Sequence, residues 1–422
     1  MSFLKKIKDI RKNKSLLNGA LFAIFSFINK GFVFFLLLFL AEFITPAEYG
    51  NLNLFITIVM LIGFFISFST EGYLSVSYFR DGEYGVKQTF SCAFWTSIIV
   101  AFILISIILS SGSFLSTKLD ISSKNLLFAV GISLFAVFFN MWLNIFRLER
   151  KVFVYGFLSC GNSLLFFLAA LFFVIYCYGW EGYVYARFMC YFAFGTAAII
   201  FFIVRKAFVI PNISHWKMML CWGIPLIPHL ATVFIRQGCD RFIINHYHTI
   251  EDVGFFSFAL TLANAIMMVG IGFNQSNSVD IFSVLGDKNF SVEQKKSSLA
   301  KQNKNLIFVY CFASIFVFTI CMLLVPWILP KYLPAMRFFP ALSVYAFLHC
   351  IYLLYTNFLF YFKKTRNLMY ITFFSSILHL TCSLFLTKYS LYYTSFIYVG
   401  SQLIIVLLVR RFALKMLNEE FS

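Results

Sequence analysis

Residues 36–55 read LLLFLAEFITPAEYGNLNLF, and this stretch decides the fold. An apolar run ends at Glu42, the turn Ala47-Glu48-Tyr49-Gly50 follows, and a second apolar run starts at once. A helix needs roughly 20 mainly apolar residues to cross a bilayer, so the stretch reads as a tight return between two spanning helices. Outward from it, runs of the same kind recur along the chain, separated by short polar or charged breaks.

Composition agrees. A chain of 422 residues that is 61% hydrophobic and 12% charged, with 59 Phe, has too much apolar surface for one soluble core. The sequence predicts an all-α polytopic membrane protein with about 12 transmembrane helices in two parallel six-helix lobes. The expected divisions are a leader at 1–15, a first lobe at 16–204, a linker at 205–217, a second lobe at 218–409 and a tail at 410–422. Among the expected spans are 51–72, 90–110, 218–240, 253–275 and 306–329. The longest break, roughly 276–305, reads as a short separate helix with a capping box at Ser291 and Gln294.

The net charge of +17 mainly sets topology, because most Lys and Arg fall on segments of one side. Both termini are therefore expected in the cytoplasm. The leader, with Lys5, Lys6, Lys8, Arg11, Lys12 and Lys14 beside Phe3, Leu4, Ile7 and Ile10, is expected to lie along anionic lipid headgroups. Nucleic acid is not an expected partner. The ten cysteines include no Cys-x-x-Cys pair, so no zinc site or disulfide framework is expected. No phosphate-binding Gly-rich loop with a Lys, HExxH or GxSxG is present, and no catalytic residue or metal site is expected. The chain does not read as an enzyme.

An offset of 204 residues lays the chain on itself. Gly19 then falls on Gly223, and Ala47-Glu48-Tyr49-Gly50 falls on Glu251-Asp252-Val253-Gly254. Asn53, Thr57 and Glu71 align with Ser257, Thr261 and Gln275, each set on one helical face. A repeat spanning six helices gives both halves the same orientation, an arrangement suited to alternating access.

Three basic residues lie inside expected spans: Lys30, Arg187 and Arg236. Each costs on the order of 3 kcal/mol in hydrocarbon and should face protein, water or a ligand. Together they read as a cationic substrate-binding lumen, supported by the polar side chains Asn29, Asn53, Thr57, Glu71, His229, Asp240, Thr261 and Gln275. Structural alternatives stand beside this reading: a Lys30–Glu71 pair, a self-neutralising Arg236–Asp240 pair, and snorkelling for Arg187. Pro225 and Pro228 interrupt the seventh span and bend it, as a gate or as static packing. His246, His248, His349 and His379 read as hydrogen-bonded neighbours rather than chemistry.

The stretch at 36–55, with GIPLIPHLA at 223–231 and DRFIINHYHTIEDVGFFSFAL at 240–260, resembles the polysaccharide-biosynthesis transporters that include O-antigen repeat-unit flippases. These share a superfamily with the multidrug and toxic compound extrusion (MATE) transporters and the murein-precursor flippases. The resemblance implies a MATE-like fold in the bacterial inner membrane. It also implies passage of an undecaprenyl-pyrophosphate-linked oligosaccharide, for O-antigen or capsule, from the cytoplasmic to the periplasmic leaflet. No cofactor is implied; coupling to a proton or sodium gradient follows by analogy alone. The implied partners are membrane lipids, the lipid-linked oligosaccharide and other polysaccharide assembly proteins. Alternatives are a multidrug exporter of the same superfamily and, from another class, a membrane polysaccharide polymerase or acyltransferase, which would typically carry a large outer loop.

Overall fold

The computed structural model describes residues 14–286 and 290–420, without the side chains of residues 14–18, 20, 225, 228–230, 275, 276, 279 and 420. The amphipathic leader expected at 1–15 lies almost wholly outside the described residues.

The described chain is helical. In order it forms α1 (Lys14–Phe43), α2 (Pro46–Ser67), α3 (Thr70–Leu119), α4 (Ser123–Leu148), α5 (Val152–Phe173), α6 (Glu181–Val204), α7 (Ile213–Gly223), α8 (Ile227–Gln237) and α9 (Cys239–Tyr247). Then follow α10 (Ile250–Gly286), α11 (Val292–Ile328), α12 (Phe339–Tyr361), α13 (Thr365–Leu386) and α14 (Leu391–Glu420). Among the described residues, ten stretches are long and apolar enough to cross a membrane. The longest, Pro46–Leu119, holds two helices, α2 and α3, and the helix broken over α7 and α8 falls outside those ten. Large apolar side chains stand outward without protein cover, among them Phe157 (79% exposed) and Trp327 (87% exposed). So large an uncovered apolar surface is stable only in lipid.

Two expectations about local structure are corrected. The polar stretch 73–89, expected as a loop, is helical within α3, which changes direction at Gly82 (φ 60°) and again at Ser111. Gly82 takes this backbone without a Cβ penalty. The segment at 290–305 is not a separate short helix: the Ser291–Gln294 capping box is present, but it starts α11, which runs on unbroken into the span. Lys, Gln and Glu are good helix formers, so nothing local stops the helix there. The seventh span is interrupted at its prolines, as expected, with a 3₁₀ turn at Ile224–Leu226 between α7 and α8, and it has a further break at Gly238. Pro225 lies in that turn, where its missing N–H cannot serve a helical ladder.

The chain divides into two compact units: residues 1–44 with 54–231, and residues 45–53 with 232–422. In the first, α1 packs on α5, α5 on α6, α6 on α4 and α4 on α3. Its aromatic core centres on Phe90, stacked on Phe202 at 4.0 Å and flanked by Phe94, Phe138 and Phe208. The linker after α6 belongs to this unit through side chains of α3. Ser91 Oγ donates to the Ala207 carbonyl (2.9 Å) and accepts from the Val209 N–H (2.9 Å). Gln88 donates to the Ile210 carbonyl and accepts from the Asn212 N–H. Irregular backbone beside a membrane helix needs such partners, and two side chains supply four of them.

In the second unit, α10 packs on α12, α12 on α14 and α14 on α13. The start of α2 joins it through Tyr49, whose ring meets Phe258 and Tyr332 and whose hydroxyl lies 3.1 Å from Thr261 Oγ1.

Candidate functional site

Two of the three cations inside the spans, Arg187 and Arg236, take neutral partners. Arg187 in α6 donates to the Tyr183 hydroxyl at 2.7 Å, and its guanidinium lies over the rings of Tyr183 and Tyr191. Its Nε–H is buried without a hydrogen-bond partner. Arg236 in α8 donates to Gln402 Oε1 on α14. Lys30 is exposed on α1, and its neighbour Asn29 accepts a hydrogen bond from Ser163 of α5. Among the described residues, none of the three forms an ion pair with a carboxylate.

Both structural pairings weighed above are absent, because their acids bond elsewhere. Glu71, in the first turn of α3, accepts from Asn140 Nδ2 (3.1 Å) on α4. Its backbone carbonyl takes Asn144 Nδ2 (2.6 Å), and Arg147 donates to Asn144 Oδ1 (2.7 Å). These groups line a cavity of about 330 Å³ together with Tyr155. Asp240, 1% exposed at the start of α9, bonds to His379 and Ser383 of α13 rather than to Arg236.

The polar stripes are packed. Asn53 (2% exposed) bonds to the Tyr49 carbonyl, Thr57 is buried, and Thr261 Oγ1 donates to the Ser257 carbonyl. The side chains of His229 and Gln275 lie outside the described residues. The structure thus separates the proposed site residues into three groups: cations without a carboxylate partner among the described residues, the Glu71 cluster, and buried side chains at helix contacts. Residue-by-residue reading missed Asn140, Asn144 and Arg147 around Glu71, and gave His379 no acidic partner. Asn140, Asn144 and Arg147 at steps of four and three on one apolar helix were a readable signal; the His379 partnership had none.

Backbone and packing together define a class by fold, the all-helical membrane proteins with a MATE-like architecture. The fold matches an inward-facing multidrug resistance MATE family transporter of the MOP superfamily at a TM-score of 0.67 and 13% identity, covering 95% of this chain and 96% of that one. It also matches a MOP superfamily transporter from Pyrococcus furiosus, described by a binding pocket of reverse polarity suggesting a different function, at 0.65 and 13%, over 96% of both chains. Within that class the chain belongs to the polysaccharide biosynthesis protein family, which it matches over residues 15–285. It is 23% identical over 370 residues to Lsg locus putative protein 1 of Haemophilus influenzae, covering 84% of this chain and 86% of that protein. The protein is a multi-pass membrane protein of this family.

Proposed function

We propose that this transporter moves an anionic, lipid-linked oligosaccharide, an undecaprenyl-pyrophosphate-linked repeat unit of O-antigen or capsule, from the cytoplasmic to the periplasmic leaflet of a bacterial inner membrane. The observation that carries the reading is that Lys30, Arg187 and Arg236 form no ion pair with a carboxylate among the described residues. Cations inside spans are costly unless something anionic meets them. A pyrophosphate offers oxygens that guanidinium and ammonium groups bind by charge-assisted hydrogen bonds. An exporter of organic cations would favour the reverse sign. Membership in a polysaccharide biosynthesis family supports the sugar portion of the cargo. The chain acts without enzymatic chemistry, with both termini in the cytoplasm, and its partners are the lipid-linked substrate, membrane lipids and the polysaccharide assembly proteins.

The test is to delete the gene and label undecaprenyl-linked oligosaccharide in oriented membranes. Complete units held on the cytoplasmic face support translocation. Normal distribution with unpolymerised units outside overturns it in favour of an enzyme. Normal glycan with lost drug resistance overturns it in favour of a multidrug exporter.

A further inference from the structure

The second unit contains a buried acid–base pair that the substrate reading does not use. Asp240 Oδ2 lies 2.7 Å from His379 Nε2, and Asp240 Oδ1 accepts from Ser383 Oγ at 2.6 Å. On the other side of the ring, His379 Nδ1 lies 3.0 Å from Ser401 Oγ on α14, and Ser401 donates to the Tyr398 carbonyl at 3.2 Å. Asp240 is 1% exposed and His379 is 2% exposed.

Two proton counts fit these contacts. In one, the single Ser401 proton goes to the Tyr398 carbonyl, Ser401 presents a lone pair to a protonated Nδ1, the contact between Nε2 and Oδ2 holds one more proton, and the pair has zero net charge; this is the loaded state. One rotation gives the other state: Ser401 turns its hydroxyl toward Nδ1, Nε2–H donates to the Asp240 carboxylate, and every polar atom again has a partner. Few buried pairs can change protonation without orphaning a group.

We propose that Asp240 and His379 form a binding site for a single exchangeable proton, with Ser401 as the hydroxyl rotor that accommodates both states. On release the Nδ1–H bond breaks, the proton passes to water as hydronium, and the bond's electron pair stays on the imidazole. The unloaded pair carries one negative charge. Among the described residues, the charged and titratable groups that interact with the pair are Arg241 and Cys239 on α9, Tyr345 on α12, and Tyr398 on α14, whose hydroxyl bonds to Asp240 and whose ring meets His379 edge-on at 5.0 Å. Arg241 offsets the negative charge of the unloaded pair. A metal cation is not the occupant this geometry fits, because the imidazole is hydrogen-bonded directly to the carboxylate where a metal's oxygen ligands would have to converge. Shielded as the pair is in this packing, exchange with water requires α9, α13 and α14 to part. On the translocation reading, that makes the proton the coupling ion.

The test reads the site without any substrate. Full-length protein with ¹⁵N-histidine is titrated in lipid nanodiscs by NMR, and the Asp240 carboxyl is followed by infrared difference spectra, with sodium and with potassium as the only salt cation. The His379 signal is assigned by its contact with the Tyr398 ring, so the wild type alone suffices. Expected is one titration step seen by both probes and unchanged by sodium. In Asp240→Asn, His379 should bind its proton more weakly by at least about tenfold, the equivalent of losing one charged partner. Two independent steps, a fixed protonation state from mildly acidic to mildly alkaline pH, or a step displaced by sodium would each overturn the proposal. None of these outcomes depends on whether an oligosaccharide is the cargo.

Discussion

Gly50 and Gly254 lie against each other, each with the carbonyl four residues before the other filling the space where its own side chain would begin. A Cβ on Gly50 would overlap the Ile250 carbonyl oxygen, and one on Gly254 would overlap the Pro46 carbonyl oxygen. The contact is reciprocal: the offset of 204 that relates the glycines also relates Pro46 to Ile250. Helices that approach this closely in a membrane need residues without side chains at the crossing. Gly254→Ala should therefore force the crossing apart, costing about 1–3 kcal/mol. Gly50→Ala should do the same. Gly19, which the same alignment placed opposite Gly223, has open space around it, whereas Gly223 sits on the Phe68 carbonyl. Thermal unfolding of the purified protein should fall for Gly50→Ala and Gly254→Ala, while Gly19→Ala stays near wild type.

The same offset relates two helix starts. Thr45 Oγ1 accepts from the Glu48 N–H while Glu48 accepts from the Thr45 N–H, and Thr249 with Asp252 repeats both bonds. Each box satisfies backbone donors that a helix end leaves free. Replacing Thr45 or Thr249 with Ala should cost about 1 kcal/mol in each case. Unequal losses, with one substitution silent, would show that only one half relies on its cap.

The linker's attachment to α3 can be cut at one atom. Ser91→Ala strands the Ala207 carbonyl and the Val209 N–H together, and Ser91 is fully buried. A buried polar group without a partner costs about 1–3 kcal/mol. The expected result is a clear loss of thermal stability and faster proteolysis between Arg205 and Asn212. Wild-type resistance would mean that other contacts hold the linker.

The fold was legible because its signals are local. Hydrophobic run lengths mark the spans, and the turns at Ala47–Gly50 and Glu251–Gly254 carry the repeat in four adjacent residues each. Stretch 73–89 misled because Arg80, Asp81, Glu83 and Lys87 look like loop composition. In α3 the charges neutralise one another along the helix, Arg80 with Asp81 and Lys87 with Glu83. The cations Lys30, Arg187 and Arg236 were visible because charge inside a hydrophobic run is conspicuous. Their partners were not. Asp240 and His379 are 139 positions apart, on helices whose mutual rotation no spacing rule supplies. Asp240 next to Arg241 and four residues from Arg236 invited a local pairing that packing overrides.

At the end of α4, outside the spans, Glu149 accepts from Arg205 at 2.5 Å and pairs with Lys151 at 2.8 Å. Burial pushes its carboxyl up, but the bonds from Arg205 and Lys151 outweigh this and hold it below the usual carboxylate range. A carboxyl that is more acidic in the folded state contributes stability above its unfolded pKa and loses it as pH falls through the folded value. Unfolding temperature should therefore drop on the acid side in wild type, and Glu149→Gln should flatten that limb while lowering the neutral plateau slightly. An unchanged acid limb in Glu149→Gln would assign the loss to other carboxylates.

Arg187 separates charge from shape most directly. Its guanidinium is held by one hydroxyl and two aromatic faces, with Nε–H unpartnered, so it presents donors and charge without an acid to neutralise them. If that charge meets a pyrophosphate, Arg187→Leu should cut surface glycan by about tenfold or more, the scale of one lost charge-assisted bond. The protein should still reach the membrane, since removing an unpaired charge from a span is not costly in itself. Arg187→Lys keeps the charge but loses the planar fork, so it should retain part of the activity. Quantifying glycan against membrane-inserted protein for both variants decides the matter. Equal loss in Leu and Lys would assign Arg187 to holding Tyr183 and Tyr191 in place, whereas loss in Leu with partial retention in Lys assigns it to the cargo.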